Sequence, residues 1–256
     1  MGLVPAAPDS LAPESVSPHI RGRLGRQYLY RPRCQSTQAL LDPEAMPEGT
    51  VAVCEEQTAG RGRLGRRWEA PAGTAILCSI VLHPPPHRRT PELTLVGALA
   101  TAQAVEDATG LAAQIKWPND VMLDRRKVAG VLGELKGQGV VLGIGINVNQ
   151  RWGELPTEAP TPPGSLFTVT GREYDRAELL GSLLFRLERL YDTWRHGGLA
   201  DLYVELGPRD FLRGRRVSVD GKFGVAVGID REGNLELDVG HGQVVRVESG
   251  EVAYLR

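Results

Sequence analysis

Beyond about residue 212 the chain changes character, and the change limits the folds open to it. Five short strand-like runs follow one another there: Arg215–Val219, Phe223–Ile229, Leu235–Val239, Val244–Val247 and Val252–Leu255. Gly221, Gly233 and Gly240-His241-Gly242 separate them. Closely spaced short strands with glycine punctuation predict a small β-barrel over residues 209–256. A unit of that size buries too little apolar surface to stand easily alone, so it is expected to dock on the rest of the chain.

The preceding part interleaves strands and helices. Val51–Glu55 and Ala75–Leu82 read as strands, the second almost wholly apolar. Thr90-Pro91-Glu92 opens a helix with a cap, a proline at the first helical position and an acid in the first turn, and Gly110 closes it. Ile115–Trp117, Lys127–Leu135 and Val140–Val148 read as strands between tight turns. Residues 151–165 form a proline-rich loop. Asp175 and Glu178 resemble a capping box ahead of a helix whose stripe is Leu179, Leu183, Leu187, Leu190 and Trp194. His196, in its last turn, reads as a helix-end cation rather than a base. The expected organisation is a flexible tail over residues 1–20, a mixed α/β (α+β) domain over 21–208 and the barrel.

Bulk properties exclude several function classes. The formal net charge is −1 and the chain is 24% charged, which speaks against a general nucleic-acid binder despite five arginines between residues 21 and 33. The three cysteines, Cys34, Cys54 and Cys78, are odd in number and have no CxxC spacing, so neither a disulfide scaffold nor a zinc site is indicated. Cys54 and Cys78 sit in apolar runs and read as small buried hydrophobes. No apolar run is long enough to span a membrane, and the N-terminus lacks a signal-peptide pattern. A reducing cytoplasm is expected.

Four blocks carry chemistry. In Gln57–Trp68, Gly60, Gly62 and Gly65 offer backbone N–H groups and positive φ, while Arg61, Arg63, Arg66 and Arg67 supply guanidinium forks. Such a loop suits polyphosphate or acyl-phosphate chemistry, although a nucleic-acid-binding arm or a solvated loop has the same composition. It fits neither the P-loop nor the dinucleotide fingerprint. Lys116-Trp117-Pro118-Asn119-Asp120 presents a cation, an amide and a carboxylate on one proline-fixed turn. By itself it is also an ordinary surface turn. Lys127–Glu134 places a lysine at the head of an apolar strand, where burial is costly unless it meets an anion. Gly143-Ile144-Gly145-Ile146-Asn147 allows close backbone approach to a ligand.

In this order the blocks resemble the biotin protein ligase family, from about Ser36 to the C-terminus, with GRGRxGRxW and KWPND as the specific motifs. The resemblance implies a mixed-sheet catalytic domain like that of class II aminoacyl-tRNA synthetases and lipoate ligases, followed by an SH3-like barrel. It implies an ATP-dependent, AMP-forming ligase. Biotin's carboxylate would attack the α-phosphate of MgATP, and a lysine of a biotin carboxyl carrier domain would take the acyl group from biotinyl-5′-AMP. By motif, Ser36, Thr37 and Gln57 would line the ureido end, and Gly60, Arg61 and Arg63 the carboxylate and phosphates. Arg66 and Trp68 would lie by the nucleotide and Lys116 by the reacting groups. Asn119 would contact adenine, and Asp120 would assist the acceptor lysine or the metal. Lys127 and Gly130 would adjoin biotin, and Asn147 the adenine or ribose. The glycine-rich loop would order over the ligand.

Two departures stand out. The first motif reads Ser36-Thr37-Gln38 where the family usually has Ser-Thr-Asn, and a Pro- and Arg-rich stretch precedes it where many bacterial members carry a DNA-binding domain. A ligase without repressor activity is therefore expected, with no nucleic-acid or membrane partner. The rival enzyme is a lipoate or octanoate ligase. Assembly as a monomer or a homodimer is open, with Val140–Val148 a candidate for edge-to-edge pairing.

Overall fold

The computed structural model describes residues 9–157 and 159–254. Its first sheet contains β1 (Tyr28–Cys34), β2 (Val51–Gln57), β3 (Ala75–Leu82), β4 (Ala113–Lys116), β5 (Asp120–Leu123), β6 (Arg126–Lys136) and β7 (Gly139–Asn147), in the order β1-β2-β3-β7-β6-β5-β4. Only β1 and β2 run parallel. Helices α1 (Pro13–Val16), α2 (Glu92–Thr109), α3 (Leu166–Thr170), α4 (Arg176–Gly197) and α5 (Leu199–Leu206) accompany it.

Because side chains alternate across a sheet, the strand register sorts residues by face. Ile76, Cys78, Ile80 and Leu82 of β3 join Ile144 and Ile146 of β7 in the main core, where α2 and α4 cover them. Gly97 of α2 allows this approach: a Cβ there would lie 2.9 Å from Val131. The opposite face of the central strands carries Leu77 and Ser79 beside Gly145 and Gly143, with Gly130 paired to Gly145 on β6. Three glycines on adjoining strands leave bare backbone, and the site is built there.

The second sheet is antiparallel, ordered β11-β10-β9-β8-β12, from β8 (Arg216–Val219), β9 (Lys222–Ile229), β10 (Leu235–Asp238), β11 (Val244–Val247) and β12 (Val252–Tyr254). Leu255 of the last expected strand lies outside the described residues. The two sheets share one hydrophobic cluster, in which Val217, Ala226, Ile229, Leu235 and Leu237 join the core of the first. The Asp210 carboxylate accepts the Ile229 N–H at 2.9 Å, and the Trp117 indole donates to the Gly233 carbonyl at 2.9 Å. Docking is thus an extension of the core.

Several expectations need correction. The tail is not loose over its whole length. Residues 1–8 lie outside the described residues, but Leu11 and Val16 are buried in the core. The Leu11 N–H donates to Glu55 and its carbonyl accepts from the Tyr28 hydroxyl. Val140–Val148 is not an edge strand, since β7 lies between β3 and β6 with both ladders filled. Helix α2 starts at Glu92 without a side-chain cap, and Thr90 contributes only its carbonyl, which accepts the Leu93 N–H. Asp175 does cap α4, accepting from Ala177 and Glu178. Among the described residues no helix is long and apolar enough to cross a membrane.

Candidate active site

Over the glycine floor lies a cleft of about 210 Å³. Its closed end is polar. Thr37 donates its N–H to Gln57 Oε1 at 2.8 Å, and its hydroxyl meets Ser79 Oγ at 2.8 Å. Gln38, buried beside them, donates Nε2–H to the Leu132 carbonyl at 3.1 Å. Ser36 completes this wall. The segment is a 3₁₀ turn, Thr37–Leu40, held from β6 by the Lys136 ammonium, which donates to the carbonyls of Gln38 and Leu41.

The arginine loop folds back on itself as a small hairpin. Gly62 N–H donates to Arg66 O at 2.8 Å, and Trp68 N–H to Gly60 O at 3.1 Å. The expected use of glycine holds only in part. Gly65 has φ 73°, but the other left-handed residue is Leu64, at φ 57°. Gly60 is absent from the cleft wall. It sits beneath Trp68, where a Cβ would collide with the Trp68 carbonyl oxygen and come within 2.8 Å of Gln57 Nε2. Its glycine is explained by chain packing rather than by ligand approach.

Trp68 lies across the floor. A Cβ on Gly145 would collide with its indole, and one on Gly130 would lie 2.9 Å from it. Three buried side-chain polar atoms among the described residues have no partner: Trp68 Nε1, Gln38 Oε1 and Gln150 Oε1. The first two belong to cleft-lining residues.

Charge is concentrated at the other end. Arg61, Arg63, Arg66, Arg67, Lys116 and Lys127 line the cleft, against the carboxylates of Glu69, Asp120 and Glu251. Lys127 pairs with Asp120 at 2.6 Å and lies 5.6 Å from the Trp68 ring centroid. Arg63 donates to Asn119 Oδ1 and to the Gly250 carbonyl, each at 3.3 Å, while Arg66 pairs with Glu251. The second sheet therefore contributes to the wall. Lys116 is buried, donates to Thr161 at 2.9 Å and faces the Tyr254 ring at 5.4 Å. Burial pushes the Lys116 ammonium below its ordinary range, against the opposing pull of Asp120. Burial likewise lowers Arg63. Three cations partly stripped of water and only partly neutralised form a receptor for anions.

Asn147, buried at the rim, donates to the Gly164 carbonyl and accepts from Gln150. The residues singled out by motif, Gly60 and Gly65 excepted, thus line one cleft. Sequence reasoning missed Ser79, Thr161 and Glu251. Ser79 had a signal, as the one polar side chain inside the apolar run Ala75–Leu82. Thr161 and Glu251 had none, because a loop and a second sheet bring them in. Among the described residues no group of three metal-ligating side chains occurs. The donor set suits a Mg²⁺ that arrives on a nucleotide and keeps phosphate and water ligands, since the cleft's carboxylates do not gather into a metal cage.

The arginines of residues 21–33 lie elsewhere and have intramolecular partners: Arg23 with Glu188 and Asp192, Arg33 with Glu56, and Arg26 with the Gly22 carbonyl. His196 hydrogen-bonds the Asp192 carbonyl at the end of α4, away from the cleft.

Comparison with known proteins agrees with this geometry. Residues 30–150 match the model of the biotin/lipoate A/B protein ligase family. The chain is 34% identical over 244 residues to the bifunctional ligase/repressor BirA of Bacillus subtilis, covering 90% of this chain and 74% of that protein. It is 35% identical over 219 residues to the biotin–[acetyl-CoA-carboxylase] ligase of Mycobacterium tuberculosis, covering 82% and 80%. A biotin protein ligase from Aquifex aeolicus, solved in complex with biotin and ATP, superposes with a TM-score of 0.81 at 31% identity, covering 90% of this chain and 99% of that one. With identities above 30% over most of both relatives, and the fold of the Aquifex enzyme, this chain belongs to the biotin protein ligase family and is a ligase.

Proposed function

We propose that the cleft joins biotin to ATP and then passes the acyl group to a protein lysine. The observation that carries this reading is the convergence of Lys116, Lys127 and Arg63 around Asp120 and Asn119. Biotin's carboxylate and the α-phosphate of MgATP are both anions, so their approach requires cations already in place. The carboxylate attacks phosphorus, the bond to pyrophosphate breaks, and biotinyl-5′-AMP forms. Mg²⁺, bound to the departing phosphates as part of the substrate, stabilises their charge.

In this reading Ser36, Thr37 and Gln57 hold the ureido end, while the Gly130 backbone, with Trp68 laid over it, adjoins the bicycle. Lys127 and Arg61 meet the carboxylate, and Arg63 and Lys116 the phosphates. Arg66, Trp68, Asn119 and Asn147 hold the nucleotide. Closure by Trp68 and the arginine loop excludes water from the mixed anhydride. No enzyme nucleophile is needed. Asp120 relinquishes Lys127 to the bound acid and then accepts the proton of the incoming lysine. The acceptor is the carrier domain of a biotin-dependent carboxylase, a class supported by the name of the mycobacterial relative.

The arginines of residues 21–33 make internal contacts, which supports a ligase without operator binding. A cytoplasmic setting agrees with three free cysteines. A boundary between a catalytic unit and a barrel near residue 209 agrees with all five strands of the second sheet following it, while Leu11 and Val16 extend the first unit toward the N-terminus.

The test is biotin-dependent ATP–pyrophosphate exchange. Arg63→Ala and Lys127→Ala should each lower it by about 10²–10³-fold. Absence of exchange in the unaltered protein removes the function. Unchanged variants remove the site assignment and leave the function standing.

A further inference from the structure

One pair of reactive groups lies beside the cleft without any part in the chemistry above. Cys34 ends β1, Cys54 lies in β2, and their Sγ atoms are 2.9 Å apart. They pack with Ala75 and Leu77 of β3 and with Trp68 and Ala70, where the arginine loop returns to the sheet. The two thiols differ in access, since Cys54 is buried and Cys34 is not. Cys78 is buried as well, and its thiol donates to the Ile144 carbonyl at 3.6 Å. The neighbouring Cys54 thiol lowers the pKa of Cys34, against the opposing effect of burial, while Cys54 is raised by Cys34 and by burial. Among the described residues no His, Asp or Glu joins the pair to make a group of three, so it is not a metal cage. An accessible thiol of lowered pKa with a second thiol alongside is the arrangement that thiol–disulfide exchange requires.

We propose that Cys34 and Cys54 form a reversible disulfide by exchange with a low-molecular-weight disulfide, RSSR, and that this bond weakens binding of the acid substrate. The Cys34 thiolate attacks one sulfur of RSSR. One RS⁻ leaves and takes up the proton that Cys34 lost, and a mixed disulfide between Cys34 and RS remains. The Cys54 thiol gives up its proton, attacks the Cys34 sulfur and expels the second RS⁻, which takes up that proton. Two protein thiols are oxidised to one disulfide, and RSSR is reduced to two RSH. Excess RSH drives the same steps backward. The sulfurs need only close from 2.9 Å to a bond length of about 2.0 Å. In the ladder Cys34 stands opposite Gln57 and Cys54 opposite Arg31. The bond therefore runs obliquely across the two strands, and its pull falls on the end of β1. Gln57 accepts the Thr37 N–H and hydroxyl, and Ser36-Thr37 follows Cys34 closely in the chain. The closed end of the cleft is thus the first structure displaced. Formation of the bond does not depend on what the cleft binds, whereas its consequence rests on the reading of the closed end as the biotin site.

The experiment treats the folded, reduced full chain with hydroxyethyl disulfide in the absence of denaturant, then blocks remaining thiols with N-ethylmaleimide and maps the products by peptide mass. The expected product joins the peptides of Cys34 and Cys54 and lacks two hydrogens, with Cys78 left as a thiol. Cys54→Ala should stop at the mixed disulfide on Cys34, and Cys34→Ser should take up no reagent. If Cys54→Ala melts early, Cys54→Val refills the site and is read by the same criterion. Biotin-dependent ATP–pyrophosphate exchange reads the consequence. Oxidation should raise the KM for biotin about threefold or more, dithiothreitol should restore it, and treated Cys34→Ser should keep its untreated KM. No cross-link in the folded chain, a cross-link through Cys78 instead, or a Cys34–Cys54 bond with an unshifted KM overturns the proposal. A reduced protein without any biotin-dependent exchange is a separate outcome. It removes the biotin reading and the consequence drawn from it, while the peptide masses decide the thiol pair by themselves.

Discussion

The Lys127 ammonium stands 2.6 Å from the Asp120 carboxylate, so a central cation of the cleft is held by an acid that a bound anion must displace. Asp120→Asn is expected to leave pyrophosphate exchange intact or improved, because it removes competition for Lys127. Transfer to the carrier lysine should slow by about 10²–10⁴-fold, the usual worth of a positioned base. Exchange and single-turnover transfer, measured on the same preparation, separate the two. Equal losses in both would place Asp120 in adenylation instead.

Lys116 predicts a pH dependence of nucleotide binding. Its pKa in the folded protein lies below the ordinary 10.5 because of burial. Phosphate favours the ammonium, so binding draws the pKa upward. Between the lowered value and 10.5, binding takes up a proton and affinity falls as pH rises. In the same window the unfolded chain binds more protons than the free folded protein. Burial of Lys116 therefore destabilises fully below the window and progressively less across it. Calorimetric titration of a non-hydrolysable ATP analogue in buffers of different ionisation enthalpy reads the uptake directly, and Lys116→Met should abolish it.

The floor predicts a steric effect. Gly145→Ala places a methyl inside the Trp68 indole, a rigid neighbour that cannot shorten. Overpacking of this kind costs about 1–3 kcal/mol, and the KM for biotin should rise with it. Gly153→Ala is the control, since nothing lies within 4 Å of the added carbon. Equal KM values for the two variants would show that Trp68 swings clear of the floor.

Arg176 predicts a loss of stability far from the chemistry. It is 1% exposed and bonds Glu55 at 2.6 Å, Asp9 at 3.0 Å and the Ala75 carbonyl at 3.0 Å. Truncation leaves Glu55 without its buried counter-charge, and Arg176→Ala should cost about 3–5 kcal/mol. Asp9 is the most exposed member, and Asp9→Ala should cost less. Denaturant midpoints at constant slope measure both.

The sequence was most informative where chemistry is local. Lys116-Trp117-Pro118-Asn119-Asp120 and the arginine loop each hold their charged groups on one stretch of chain, and those charged side chains do face one cleft. It was least informative where position depends on register or docking. Strand β5 was missed because Asp120–Leu123 is short and follows the proline turn directly. Ser79 matters only because β3 places it opposite Thr37. Glu251 and Gly250 reach Arg66 and Arg63 across more than 180 positions of sequence, through a packed core that no spacing rule describes. Gly60 shows the converse error. Its type was read as ligand approach, while the space it leaves is filled by Trp68 of the same chain.

The glycines at 130, 143 and 145 give the sheet a division of labour with the chain that covers it. The strands there offer backbone alone, and the side chains laid on them are Trp68 and Gln38, which are carried on a hairpin loop and a single turn. Exchanging those two side chains would reshape the chamber without disturbing one ladder hydrogen bond or one core contact of α2 and α4. A cleft made this way can change the acid it prefers through its lining while its frame stays constant.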